Sequence, residues 1–356
     1  MTHQHETNAA GAGLSPVDLR SDTVTKPTEA MYARMASAPL GDDGLDGDPT
    51  VQELEAVAAA ALGKDTGLFV PSCTMANLLA TLAQSQRSEQ VVLESSAHMY
   101  TSERGAATFT GLFYLAVAGT AGAMDLNLLE DALQGGGHKL KTGLVAMETS
   151  HNNASGAVLP LEHMQAVHTM ASVRGVPVHL DGARLFNAAT ALDVAPHQIA
   201  RHCDTVSLCL SKGLSAPAGA VLAGPRAVIE RSRGFRRMLG GTQRQIGILA
   251  AAGLEAVQVM GGRLAEDHRR ARALSEALNG MHPKLSATIP QTNIVQVDVS
   301  RSGRDSAAWS NALEKAGVKA RPWGKQRLRC VTHRHIDDAA IDRAVAAFRA
   351  VAGVLI

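Results

Sequence analysis

Lys212 stands in the run SLCLSKGLSAP, between Ser211 and Gly213, just past an apolar segment. A lysine beside a dry strand is expected to have a depressed pKa, which suits it to act as a Schiff-base amine. A lysine that snorkels out of a loop and keeps its charge in water would fit the same letters. Asp181 weighs against that second reading. It ends VPVHLD, where a strand should be buried, and a buried charge needs a partner. A protonated pyridine nitrogen is such a partner, and a carboxylate there makes the cofactor an electron sink. An ion pair with Arg184, or a cap over Gly182 and Ala183, would also satisfy it. Asp181 and Lys212 are 212 − 181 = 31 residues apart, the length of a helix and a strand. They can therefore end neighbouring strands and face opposite ends of one ring.

Other candidates share this placement at the ends of apolar runs. Ser72, Cys73 and Thr74 follow LFVP and precede an apolar helix. Such a turn offers backbone N–H groups and a hydroxyl to a phosphate; an ordinary N-cap by Ser72 would fit the same letters. His98, in ESSAHMYTSERGA, and His151, in METSHNNASG, each follow a strand-like run. Either imidazole could stack on a flat cofactor, act as a base, or be a solvated loop histidine. Arg184 and Arg329 could grip a substrate carboxylate with a planar fork, or lie on the surface.

The elements that must position these residues alternate in type. Strand-like runs LFV, VVLE, LFYLAV, GLVAME, VPVHLD, DTVSLC and GAVLAG are separated by helical or turn segments. Helices are expected at Thr28 to Ala36, from Pro49 to a stop at Gly63, after Ser72, at Leu126 to Gln134 and at Leu161 to Arg174. This rhythm implies right-handed crossovers and a mostly parallel sheet, which gathers function at the carboxyl ends of its strands. Beyond Gly240 come helices at Gln245 to Met260 and Arg263 to Asn279. Strands TNIVQVDV and QRLRCVTH follow, with helices at Ser306 to Ala316 and Asp338 to Val351. The fold class is α/β: a large domain over residues 18–250 and a small C-terminal α/β domain over 251–356. Residues 1–17 read as a disordered lead-in.

Bulk composition narrows the function. The 356 residues are 46% hydrophobic and only 3% aromatic, a mix that suits buried strands under Ala-rich helices. A net charge of +1 gives no basic groove for nucleic acid and no polybasic membrane patch. The polar start MTHQHETNAAGAG is unlike a signal peptide, and no run reaches a membrane span. Four scattered cysteines form neither a zinc ribbon nor a CxxC pair, so no metal site is expected and a cytoplasmic location is. A dinucleotide dehydrogenase would need GxGxxG after its first strand, which is absent. A regulatory protein on a cofactor fold would add a DNA-binding module or basic arm, also absent.

Taken in order, the segments resemble the low-specificity L-threonine aldolases, within the β-eliminating lyase group of fold-type I pyridoxal-phosphate enzymes. The resemblance runs through DLRSDTVTKPTEAM, LFVPSCTMAN, AHMYTSERGA, ETSHN, HLDGARLFNA, SLCLSKGLSAPAGAVLAG, RQIGILAAAG and RLRCVTH, from about residue 18 to 335. It implies pyridoxal phosphate on Lys212, with Asp181 at the pyridine nitrogen and His98 stacked on the ring. It makes His151 a second active-site histidine and Thr74, with its neighbours Ser72 and Cys73, a phosphate contact. Ser21, Arg184 and Arg329 match substrate-carboxylate contacts, and Arg244 matches a contact to phosphate or to the neighbouring subunit. The implied reaction splits L-threonine, L-allo-threonine or a related β-hydroxy-α-amino acid into glycine and an aldehyde, with His98 or His151 as candidate base. Another pyridoxal-phosphate β-eliminating lyase is the alternative. Members of this family are homotetramers with active sites at a dimer interface. This sequence departs from the family pattern at Cys73, usually Gly, and at Leu45, usually an active-site tyrosine. It also reads ETSHN for ENTHN, and Thr242-Gln243 follow Gly240-Gly241.

Overall fold

The computed structural model describes residues 15–356. Most of the expected lead-in therefore lies outside the described residues. Its last residue, Val17, is in a strand: Val17–Asp18 pairs in parallel with Val318–Lys319.

Seven strands form the central sheet: β1 (Thr66–Val70), β2 (Glu89–Glu94), β3 (Phe113–Val117), β4 (Lys141–Glu148), β5 (Val178–Gly182), β6 (Thr205–Cys209) and β7 (Ala220–Gly224). Their spatial order is β1-β7-β6-β5-β4-β2-β3. β5 and β6 are buried at every position and β4 at all but its first. That is why these runs are apolar throughout rather than alternating, as strands covered on both faces must be. All neighbours are parallel except β7, which is antiparallel to both β1 and β6. Only residues 210–219 join β6 to β7, and they hold no helix, so a parallel crossover is out of reach.

Local signals place the helices. Asp48 caps Pro49–Leu62, accepting from Thr50 N and Val51 N, and Gly63 stops it at φ 62. Among the described residues, five α-helices go beyond those expected from sequence, the two longest being Leu185–Leu192 and Arg226–Met238. The second is so rich in arginine that its apolar stripe is thin: Ile229 and Phe235 pack with Leu68, Val70 and Leu79.

A second core gathers Val17, Leu19, Leu274, Trp309 and Phe348. It lies against an antiparallel sheet of β8 (Ser286–Ala287), β9 (Ile294–Asp298), β10 (Arg321–Pro322) and β11 (Arg327–Val331), ordered β8-β9-β11-β10. The expected division after residue 250 falls inside helix Gly247–Gln258, whose Ala250 to Val257 side belongs to the first core. The change of core comes later, within helix Leu264–Asn279, between Leu264 and Ala271. No single helix among the described residues is long and apolar enough to cross a membrane.

Candidate active site

The carboxyl ends of β4, β5 and β6 meet the small antiparallel sheet around a cavity of about 170 Å³. Six residues expected at a site line it: Ser21, His98, Asp181, Arg184, Lys212 and Arg329. Glu148, Asn152, Arg321 and Trp323 share the lining.

Asp181, 2% exposed, is the penultimate residue of β5, directly opposite Glu148 on β4. Its Oδ1 accepts from Ala183 N at 3.1 Å and its Oδ2 from Asn77 Nδ2 at 3.1 Å. The alternative ion pair with Arg184 is not made. Burial, then the carboxylates of Glu148 and Glu103, push Asp181 up to about 7. Gly182 must follow it, because a Cβ there would stand 2.7 Å from Ser207 O on β6.

Asn77 fixes this carboxylate in place. Its Nδ2 also donates to Glu103 Oε2 at 3.2 Å, while its Oδ1 accepts from Ser207 Oγ at 2.7 Å. His179 Nε2 donates to the same Oδ1 at 3.1 Å, so its Nδ1 accepts from Thr205 Oγ1 at 2.9 Å. That tautomer is neutral, and burial holds His179 down at about 4. His98 Nδ1 lies 2.8 Å from Glu103 Oε1, and this hydrogen bond raises the imidazole above its ordinary pKa against burial. One donor atom each from His98, Glu103 and Asp181 lie within 4.8 Å of one another.

Lys212 lies three residues past β6. Its ammonium takes no hydrogen bond or ion pair among the described residues, and its carbonyl accepts from Thr25 Oγ1 at 2.9 Å. Its pKa is raised, not depressed as the sequence suggested. Burial does act downward, but the thiols Cys209 and Cys73 and the carboxylate Asp181 outweigh it. The two sulfurs act on each other: Cys209 and burial push the Cys73 thiol up, while Cys73, ahead of Lys212, draws Cys209 below its ordinary value against burial. A sequence does not show that two cysteines 136 residues apart (209 − 73) converge under the lysine.

Five expected residues lie off the cavity: His151, Ser72, Cys73, Thr74 and Arg244. His151 is fully buried behind it, with Nε2 3.2 Å from Glu94 Oε2 and 3.7 Å from Glu148 Oε2. Its Nδ1 accepts from Ala154 N at 3.2 Å. Gly122, at φ +86, makes room for it: a Cβ there would be 2.5 Å from the ring. Glu148 links this layer to the cavity, accepting from His98 N at 2.6 Å and Asn152 N at 2.7 Å. Ser72 uses its hydroxyl to cap helix Cys73–Gln84, accepting from Met75 N at 3.2 Å, so the ordinary-cap reading holds for that group. Arg244 is 67% exposed and lies 3.5 Å from Asp42. Of the rest of the phosphate turn, Thr74 Oγ1 donates to Glu103 and Cys73 Sγ approaches Ser207 Oγ at 3.4 Å. The amides of Cys73 and Thr74, in the first turn, have no acceptor within the helix.

The N-terminal segment straps the two units together over the cavity. Arg184 Nε and Nη2 donate to the two oxygens of buried Asp22, at 2.7 and 2.6 Å. Asn293 Nδ2 donates to the same carboxylate at 3.3 Å from the small unit. Arg184 holds Asp22 well below the ordinary carboxylate range against full burial. Arg329, 2% exposed, has no carboxylate: Nη2 donates to Asn152 Oδ1 at 2.8 Å and Nη1 to Arg20 O at 3.4 Å, while Nε has no partner. Burial, with Arg184 next, brings Arg329 down to about 9.

Sequence reasoning missed Asp22, Asn77, Glu103, Glu148, Trp323 and Arg321. Asp22 and Glu148 sit inside RSDT and ETSHN, where an acid beside an expected site residue was the available signal. Asn77 and Glu103 lie inside LFVPSCTMAN and AHMYTSERGA, but only the tertiary structure brings them to Asp181 and His98.

The beta-eliminating lyase family matches residues 18–302. This chain belongs to that family. Within reach of this lyase are the low-specificity L-threonine aldolase 1 of Arabidopsis thaliana, 38% identical over 94% of this chain and 96% of that protein, and the low specificity L-threonine aldolase of Escherichia coli (strain K12), 36% identical over 94% and 98%. The alanine racemase TOXG of Cochliobolus carbonum is 31% identical over 94% and 87%. Among solved structures, Leishmania major threonine aldolase superposes with a TM-score of 0.82 at 17% identity, covering 95% of this chain and all of the other. Serine palmitoyltransferase of Sphingomonas wittichii gives 0.74 at 17%, covering 96% and 89%. The lyase has the fold of fold-type I pyridoxal-phosphate enzymes.

Proposed function

We propose that this lyase is a pyridoxal-phosphate-dependent aldolase that cleaves L-threonine, L-allo-threonine or a related β-hydroxy-α-amino acid to glycine and an aldehyde. One observation carries the reading: Asp181, buried and crowded by two carboxylates, shares a cavity with Lys212, whose amine has no partner. The residues fit the cofactor. A pyridinium N–H supplies the cation that Asp181 lacks, Lys212 supplies the amine that holds the aldehyde carbon, and the Cys73 and Thr74 amides supply a phosphate seat. When bound, the cofactor accepts the electron pair left at Cα as the Cα–Cβ bond breaks.

The chain does the rest. Arg329 takes the α-carboxylate, because its fork is buried, unpaired with any acid and short of one partner at Nε. Ser21 lines the same wall. Arg184 is already committed to Asp22 and serves as a fixed cationic surface. Of the two candidate bases only His98 lines the cavity, so the β-hydroxyl proton goes to its Nε2 while Glu103 holds Nδ1. His151 positions Glu148 from behind.

The similarity to two L-threonine aldolases supports cleavage, and the similarity to an alanine racemase defines the competing reaction. The test is to supply the cofactor-loaded protein with L-threonine and L-allo-threonine and measure acetaldehyde and glycine. Equal amounts of both are expected. Interconversion of L- and D-alanine without any cleavage of the hydroxy acids overturns the reading.

The assembly is a homo-oligomer in which Arg244 reaches the cavity of a second copy. Support comes from its exposure beside Leu45, which is 77% exposed, and from the exposed Ile248 on the next helix. Mixing inactive Arg244→Ala and Lys212→Ala copies restores activity in hybrid assemblies if this is so; no recovery removes Arg244 from the shared site.

A further inference from the structure

The cavity holds one more cation than a simple hydroxy amino acid can use. Arg321 on β10 and Arg329 on β11 are directly opposite each other in the antiparallel ladder. Like charges in that relation repel unless something lies between or beside them. What lies beside them is Trp323: the Arg321 Cζ is 5.2 Å from its ring centroid and the Arg329 Cζ is 5.0 Å. The indole face offsets part of the repulsion but neutralises neither charge. All three side chains line the cavity.

Counting acids against these cations leaves a surplus. Arg184 has Asp22. Arg329 and Arg321 have no carboxylate at all, and Arg321 takes no hydrogen bond or ion pair among the described residues. The two differ in depth: Arg329 is buried at the floor, while Arg321 is exposed at the rim. The α-carboxylate of a bound amino acid answers Arg329. A methyl group such as that of threonine leaves Arg321 unanswered.

We propose that Arg321, held against Trp323, selects substrates that carry a second carboxylate beyond the β-hydroxyl carbon, 3-hydroxyaspartate being the smallest. This rests on the aldolase reading above and names its substrate class. The reaction balances without a further reagent. In 3-hydroxyaspartate the Cα–Cβ bond breaks, the β-hydroxyl loses its proton as Cβ becomes the aldehyde carbon of glyoxylate, and Cα gains one proton to give glycine.

The test measures kcat/KM of the cofactor-loaded protein for L-3-hydroxyaspartate and for L-threonine, in the wild type and in Arg321→Gln and Arg321→Lys. The ratio of the two values is expected to fall at least tenfold in Arg321→Gln and by less in Arg321→Lys, which keeps the charge but not the planar fork. A second readout needs no turnover: the dissociation constants for L-aspartate and L-alanine, followed by the absorbance of the bound cofactor. Wild type should favour aspartate, and Arg321→Gln should lose that preference. If both amino acids lose affinity equally, Arg321 merely shares the α-carboxylate and the proposal is overturned. If the ratio and the preference both stay at their wild-type values, Arg321 is a surface arginine and it is equally overturned. Cleavage of threonine with either of these results sinks this inference alone; absence of cleavage of both hydroxy acids sinks the aldolase reading itself.

Discussion

The inner wall of the cavity is made by strand ends of a buried parallel sheet, and the outer wall by an edge hairpin of a small antiparallel one. On the inner wall Glu148, Asp181 and Glu103 converge, each locked by backbone or Asn77 donors, and negative charge exceeds what nearby cations neutralise. On the outer wall Arg329 and Arg321 converge, and positive charge is in excess. Between them Asp22 and Arg184 form a closed pair that needs no guest. A guest with a cation on one side and a carboxylate on the other, as a ring cofactor carrying an amino acid has, completes both walls at once. An uncompensated buried charge in a folded protein marks where a ligand belongs, whereas a compensated one marks where the fold is held.

The largest expected effect tests whether Lys212 is the group between the walls. Lys212→Ala should abolish cleavage, and borohydride should no longer fix the cofactor to the chain. Recovery of the label on another lysine would place the amine elsewhere. Next is the closed pair. Asp22→Asn leaves Arg184 buried without its acid, which should cost about 3–5 kcal/mol of stability. Denaturant unfolding of the cofactor-free protein measures it, and a loss below about 1 kcal/mol would show that the strap is not held by this pair.

Arg329 should respond in the opposite manner, since it has no acid to lose. Arg329→Lys is expected to change stability little but to lower kcat/KM about ten- to a hundredfold, the loss of a charge-assisted fork at roughly 1.5–3 kcal/mol. Unchanged cofactor affinity should accompany it. A variant that releases cofactor while keeping its KM would move Arg329 to the inner wall.

Two smaller effects are set by pH. As a base, His98 must be neutral, and Glu103 raises its pKa. The rise of kcat/KM with pH should therefore lie above the ordinary imidazole value, and Glu103→Gln should move it down; a limb that ignores the substitution would assign the base to another group. Asp181 and Asp22 bend the stability of the cofactor-free protein in opposite directions. The native pKa of Asp181 is raised, so its contribution is fully present below about 4 and is lost as pH climbs through about 7. That of Asp22 is depressed, so its contribution is present above about 4 and is lost as pH falls. Asp181→Asn should flatten the first slope and leave the second, as melting temperature against pH would show; an unchanged upper slope would mean that Asp181 is already ionised without the cofactor.

Much of this was legible in the chain. Seven apolar runs imply a mostly parallel sheet, and the polar residues that end VPVHLD and follow DTVSLC put Asp181 and Lys212 at its carboxyl edge. Asp48, Ser72 and Gly63 set their helix ends by local chemistry alone. These features depend on neighbours within a few residues, so sequence suffices. What the tertiary structure decided depends on charges brought together from afar. Arg184 turned to Asp22, 162 residues nearer the start of the chain (184 − 22), rather than to Asp181, because the strap crosses the cavity there. The pKa of Lys212 rose because two cysteines and Asp181 outweigh the burial that a dry strand imposes. His151 fell behind the wall and His98 into it, although both follow strands in the same way. The strand order, the antiparallel turn of β7 and the pairing of Arg321 with Arg329 are likewise long-range. A pattern of residue types fixes where a side chain leaves the backbone; its charge partner, and so its chemistry, is fixed only by which distant segments pack around it.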